Sequence, residues 1–169
     1  MQKISISMKI AFIQTGGTID KDYPKTTKGY AFEISEPAVR RILEKLNPDF
    51  EYEIISALKK DSLDITEDDR QKILDVCKKT KCDKIVITHG TDTMLETAKK
   101  LSPIKDKIII ITGAMRPERF SNSDAPINIG MAIGAVNILN NGIYIAMHGR
   151  VLRWDKCKRD MKTGQFVEK

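Results

Sequence analysis

Apolar residues along this chain follow two alternating rhythms. Ile10-Ala11-Phe12-Ile13, Ile85-Val86-Ile87 and Ile108 to Thr112 are short continuous runs rich in β-branched residues, the pattern of strands covered on both faces. Between them lie stretches with helical spacing. Val39, Ile42, Leu43 and Leu46 form one stripe, and Ile73, Leu74 and Val76 another. Strands are expected at 8–14, Glu51 to Ala57, Ile85 to Thr88, Ile108 to Thr112 and Ile143 to Met147. A helix is expected from Glu36-Pro37, capped by Ser35, and another after Thr66-Glu67-Asp68-Asp69, where Thr66 and Asp69 suit a capping box. Further helices are expected at Thr91 to Leu101 and Ala125 to Leu139. Residues 15–33 read as a loop, and the last twenty residues lack periodicity and read as irregular. Strands separated by helices imply βαβ units and a parallel sheet. The fold class is therefore α/β, a doubly wound three-layer sandwich.

Size and composition fit that picture. A chain of 169 residues, 41% hydrophobic and 31% charged, supports one domain with one substantial core. Met8 is a plausible start, which makes residues 1–7 a possible extension. No apolar run approaches the ~18 residues that span a bilayer, and the N-terminus lacks the apolar centre of a secretory signal. Net charge is +6, but the cations are accompanied by 23 acids and cluster densely only from Arg150 to Lys162. A solvated basic surface that steers an anionic small substrate accounts for them better than nucleic-acid binding. Cys77, Cys82 and Cys157 have no metal-type spacing and read as free thiols of a cytoplasmic protein.

Two Thr/Gly segments stand at expected strand ends: Thr15-Gly16-Gly17-Thr18-Ile19 and His89-Gly90-Thr91-Asp92-Thr93-Met94. In an open α/β sheet such ends line the ligand crevice. Glycines after Thr15 let backbone approach a ligand. A helix starting near Thr91 and Asp92 favours a carboxylate or a developing oxyanion. Each segment alone also fits a tight turn, with Asp92 as a first-turn acid and Thr93 as a cap. Neither has a P-loop lysine or a dinucleotide glycine pattern. His89 and His148 read as structural histidines, and no serine sits in a nucleophile elbow.

These segments, with Leu95-Glu96-Thr97-Ala98, Gly113-Ala114-Met115-Arg116-Pro117, Ser123-Asp124, Pro126 and Asn128 following in order, resemble the bacterial-type L-asparaginases from about residue 9 to residue 150. The resemblance implies a flavodoxin-like domain with a mostly parallel sheet and no cofactor or metal. It also implies hydrolysis of asparagine, or a related small amide such as glutamine, through a threonine nucleophile and an acyl-enzyme. Thr15 then corresponds to the nucleophile and Tyr30 to the tyrosine that helps activate it. Thr91 and Asp92 correspond to the second threonine and its aspartate. Gly16, Ser62, Leu63, Asp64, Gly90 and Ala114 fall at substrate-binding positions, with Ser62 set to hold an α-carboxylate and the Ala114 carbonyl the amide. A homo-oligomer, dimer or tetramer, is implied, without membrane association.

Three departures accompany the resemblance. The family carries a second, C-terminal domain, which residues 1–169 are expected to lack. Leu63 replaces a polar residue, which weakens recognition of a free α-amino group and leaves Asp64 as the remaining contact for it. A gapless register sets Arg159 where the family has a lysine, with Lys158 adjacent; arginine stays protonated and cannot act as a base. A non-catalytic aspartate- or asparagine-binding module and an amidotransferase-subunit-like domain are the alternatives.

Overall fold

The computed structural model describes residues 8–25 and 32–169. Along the chain it forms β1 (Lys9–Gly16), β2 (Lys21–Asp22), β3 (Glu33–Ile34), α1 (Ala38–Leu46), β4 (Glu51–Lys60), α2 (Glu67–Lys79) and β5 (Lys84–Thr88). There follow α3 (Met94–Leu101), β6 (Ile108–Thr112), α4 (Ala125–Ile138), β7 (Gly142–Met147), β8 (Arg150–Arg153), β9 (Cys157–Arg159) and β10 (Phe166–Glu168). Six strands make the central sheet in the order β4-β1-β5-β6-β7-β8. All neighbours are parallel except β7 and β8, which run antiparallel from Tyr144↔Arg153 to Met147↔Arg150. The mostly parallel α/β architecture expected from the sequence is the one formed.

Side chains alternate across the strands and build two cores. Ile13, Ile85, Ile87, Ile109 and Ile111 pack with Ile73, Leu74 and Cys77 of α2 and Met94, Ala98 and Leu101 of α3. On the opposite face, Ile10, Phe12, Val86 and Ile110 meet Val39, Ile42 and Leu43 of α1 and Ile129, Ala132 and Val136 of α4. The sheet is thus sandwiched between two helix pairs. Strand order reverses direction beside β1, so the carboxyl ends of β1 and β5 open towards a crevice.

Several boundaries differ from the sequence reading. The capping box on α2 forms as expected: Asp69 N donates to Thr66 Oγ1 at 3.2 Å and Thr66 N to Asp69 Oδ2 at 2.9 Å. Ser35 does not cap α1. Pro37 occupies the position before that helix, and Asp20 reaches in so that its Oδ1 accepts from Ala38 N at 2.8 Å. Leu46, expected on the buried stripe, is exposed at the end of α1, where Asn47 turns left-handed. β4 runs on to Lys60 instead of ending at Ala57, because the charged Lys59 and Lys60 side chains find Glu36 and Asp69 while their backbone continues the strand. Thr15 and Gly16 belong to β1, and the rest of the expected 15–33 loop contains a 3-10 turn at Thr18–Asp20 and the β2–β3 pair.

The C-terminal twenty residues are not irregular. They form β8 and an antiparallel β9–β10 ribbon with Phe166 opposite Arg159 and Glu168 opposite Cys157. Leu152, Cys157 and Phe166 are buried in the core on the α2–α3 side. Strands of three and four residues, interleaved with lysine and arginine, are too short to show a period.

Candidate active site

Glycine packing draws three loops together at the carboxyl edge of the sheet. Gly16 and Gly17 adopt φ values of 114° and 83°, a region that L side chains rarely enter. A Cβ on Gly16 would strike the Lys60 carbonyl, one on Gly17 the backbone of Gly90, and one on Gly90 the Ser62 side chain. Gly17 N donates to the Lys60 carbonyl at 3.0 Å. The bulge between Gln14 and Gly16, where the β1–β4 register shifts, is what turns Thr15 against β5.

Thr15 is fully buried, and its hydroxyl donates to the Thr88 carbonyl at 2.8 Å. The Thr88 hydroxyl in turn faces Asp20 Oδ2 at 3.5 Å. Burial raises the Asp20 carboxyl to a pKa of about 7, partly offset by the hydrogen bond from Ala38 N. Asp20 thus joins the end of β5, where Thr15 is bonded, to the start of α1. Sequence reasoning passed over it; its signal was an acid directly after the Thr-Gly-Gly-Thr-Ile run, in a segment bound to be buried.

Ser62 is buried in a 3-10 turn after β4. Its Oγ accepts from Asp92 N at 3.2 Å, and its carbonyl accepts from Thr93 Oγ1 at 2.7 Å. Thr93 therefore ties the loop to Ser62 instead of capping a helix, and α3 begins only at Met94, three residues later than expected. The turn leaves Leu63 and Asp64 exposed, while Asp61 pairs with Lys21 at 2.9 Å.

Arg159 Nη1 donates to Asp92 Oδ1 at 2.5 Å, and its Nε to the Gly164 carbonyl at 3.2 Å. Lys158 is exposed, since neighbouring residues of β9 point to opposite faces. Of the two expected cations, Arg159 is the one that meets Asp92. Tyr30 lies outside the described residues.

The Gly113–Arg116 loop is fixed from α4. Asn128 Nδ2 donates to the Gly113 carbonyl at 2.9 Å, and the Asp124 carboxylate accepts from Met115 N at 3.0 Å and Arg116 N at 3.0 Å. Ala114 is buried between them. His89 is also fully buried. Its Nδ1 donates to the Gly90 carbonyl at 2.7 Å, which makes Nε2 the acceptor for Thr97 Oγ1 at 2.8 Å. Burial lowers its pKa to about 4, so it is a neutral brace for the Gly90 loop. Among the described residues no group of three or more His, Cys, Asp or Glu side chains is arranged to hold a metal ion.

With this geometry in place, comparison with known proteins is decisive. The family model described as "Asparaginase, N-terminal" matches residues 9–165. The chain belongs to the asparaginase family. A glutaminase-asparaginase of Acinetobacter glutaminasificans is 29% identical over 167 residues, covering 92% of this chain and 49% of that protein. The solved structure of the thermostable L-asparaginase from Thermococcus kodakarensis superposes with a TM-score of 0.84 at 29% identity, covering 95% of this chain and 51% of that one. One component of the glutamyl-tRNA(Gln) amidotransferase of Methanococcus vannielii is 45% identical over 69 residues, 40% of this chain and 16% of that protein. This asparaginase-family chain thus spans about half the length of the full-length relatives it matches. Among the described residues no helix is long and apolar enough to cross a membrane.

Proposed function

We propose that residues 1–169 act as one asparaginase-type domain that hydrolyses L-asparagine, or a related small amide, to the acid and ammonia. The observation that carries this reading is the meeting of Thr15, Ser62 and Asp92 through the Thr88 carbonyl, the Gly17–Gly90 contact and the Ser62–Asp92 hydrogen bond. The Thr15 hydroxyl turns from the Thr88 carbonyl to attack the amide carbon. The Oγ1–C bond forms, the C–N bond breaks, and the hydroxyl proton departs with ammonia. Water then cleaves the acyl-threonine and restores the hydroxyl. A threonine hydroxyl needs a base; Thr91 and Asp92 convey the proton, Tyr30 assists, and Arg159 rather than Lys158 orients Asp92. The Ser62 hydroxyl, whose oxygen accepts from Asp92 N, retains its own proton for a substrate carboxylate, and Gly16, Gly90 and Ala114 supply backbone contacts. Purified protein should release ammonia from asparagine, and Thr15→Ala should abolish the release.

A non-catalytic aspartate-binding module is the second reading, favoured by the inward Thr15 hydrogen bond and by a permanent cation beside Asp92. Tight aspartate binding in calorimetry, with no amide turned over, would select it.

The three unpaired, buried cysteines support a cytoplasmic setting. For assembly we propose a homo-oligomer built on α4. Residues 125–138 contain no charged side chain, and Ile127 and Ile138 are 69% and 82% exposed on the face that carries Gly130 and Gly134. Two copies of a chain with net charge +6 meet there without opposing their cations. Sedimentation should give a dimer or larger, and Ile138→Glu a monomer.

A further inference from the structure

We propose that the site favours an ω-amide that carries a carboxylate but no α-ammonium, such as a succinamate or an N-acylated asparagine. This rests on the amidohydrolase reading above and concerns which amide is taken.

An ammonium group is held by carboxylates with free charge to offer. Among the described residues the acids around this crevice have partners, with one exception. Asp92 is neutralised by Arg159 at 2.5 Å, and Asp61 by Lys21 at 2.9 Å. Asp69 is neutralised by Lys60 at 2.7 Å, and Asp20 is sealed beneath Thr88 as the cap of α1. Asp64 is left, standing in solvent, where water screens its pull on any cation. A substrate ammonium brought against Asp92 would lie beside the Arg159 guanidinium, a charge of the same sign that cannot be shed.

The same groups suit an anion with an apolar or acylated α-position. Among the described residues Arg159 Nη2 has no partner, so the guanidinium keeps donors to spare. Ser62 contributes its hydroxyl. Leu63, next to Ser62, is 74% exposed, an apolar surface where an ammonium would lose water for nothing and a methylene or acyl group would gain contact.

Ammonia release is to be compared for succinamate, N-acetyl-L-asparagine and L-asparagine, alongside calorimetric binding of succinate and L-aspartate. Succinamate or N-acetyl-L-asparagine should exceed asparagine in kcat/KM by about tenfold or more, and succinate should bind about tenfold tighter than aspartate. Leu63→Asn, which removes the apolar surface beside Ser62 without adding a charge, should shrink both ratios about threefold towards the ammonium-bearing partner. Faster turnover of asparagine together with tighter binding of aspartate overturns the proposal. Binding that favours succinate without turnover of any amide overturns the hydrolase reading and leaves this inference standing.

Discussion

Arg159 and Asp92 stand 67 positions apart in sequence and meet in a 2.5 Å ion pair that joins the β9–β10 ribbon to the loop after β5. The pair places a cation that cannot give up its proton where a lysine would be able to titrate. Arg159→Lys should keep the charge pairing and add a titrating group. Ammonia release measured from pH 6 to 10 should then gain an alkaline rise absent from the parent. Arg159→Met should lower kcat by about a hundredfold by freeing Asp92 to rotate. Identical pH profiles for parent and lysine variant would show that Arg159 takes no part in proton movement.

Gly90 and Ser62 are in contact because Gly90 has no side chain. Gly90→Ala puts a methyl group against the Ser62 side chain and backbone, and overpacking of this kind costs about 1–3 kcal/mol. Urea unfolding should show that loss, and kcat/KM should fall further than stability does, since both loops shift. Gly130→Ala is the control: a Cβ there meets nothing within 4 Å, and replacing a helical glycine should stabilise the protein by about 0.5–1 kcal/mol.

Ser62 Oγ accepts from Asp92 N, and in the proposed reaction it also offers its proton to a substrate carboxylate. Ser62→Ala should therefore raise KM about tenfold with a smaller change in kcat, as expected when ground-state binding is lost. Thermal unfolding should show a loss of about 1 kcal/mol for the hydrogen bond. An unchanged KM would remove Ser62 from substrate binding.

Where the chain carries a strong local signal, sequence and structure agree to the residue. Ile108 to Thr112 is β6, and Thr66 with Asp69 closes the capping box. Thr15, at the end of β1, and Asp92, just past β5, lie at one edge of the sheet because the two strands run parallel. What escaped the sequence is non-local. Asp20 caps a helix 18 residues away, and no spacing rule connects an acid in one turn to a helix beyond the next. Arg159 and Lys158 are neighbours in sequence, and choosing between them requires knowing that Cys157–Arg159 is a strand whose side chains alternate. Three residues among lysines do not announce that.

Asp20 and His89 lie under the same crevice and titrate in opposite senses. Burial raises Asp20 from 3.8 to about 7, so the folded protein holds a proton that the unfolded chain releases as pH climbs through that window. Its contribution to stability is therefore complete below pH 4 and declines as pH rises towards 7. His89 is lowered from 6.5 to about 4, so its contribution is complete above pH 6.5 and declines as pH falls towards 4. Across the shared interval the two slopes oppose each other. Asp20→Asn keeps a side-chain oxygen for Ala38 N but removes the titration. The stability of the variant minus that of the parent, from urea unfolding at pH 4.5 to 7, should climb with pH by about 1.4 kcal/mol per unit. A difference that stays level over this range would mean that Asp20 is already ionised in the folded protein. The Thr88–Asp20 contact would then be a charged one beneath Thr15.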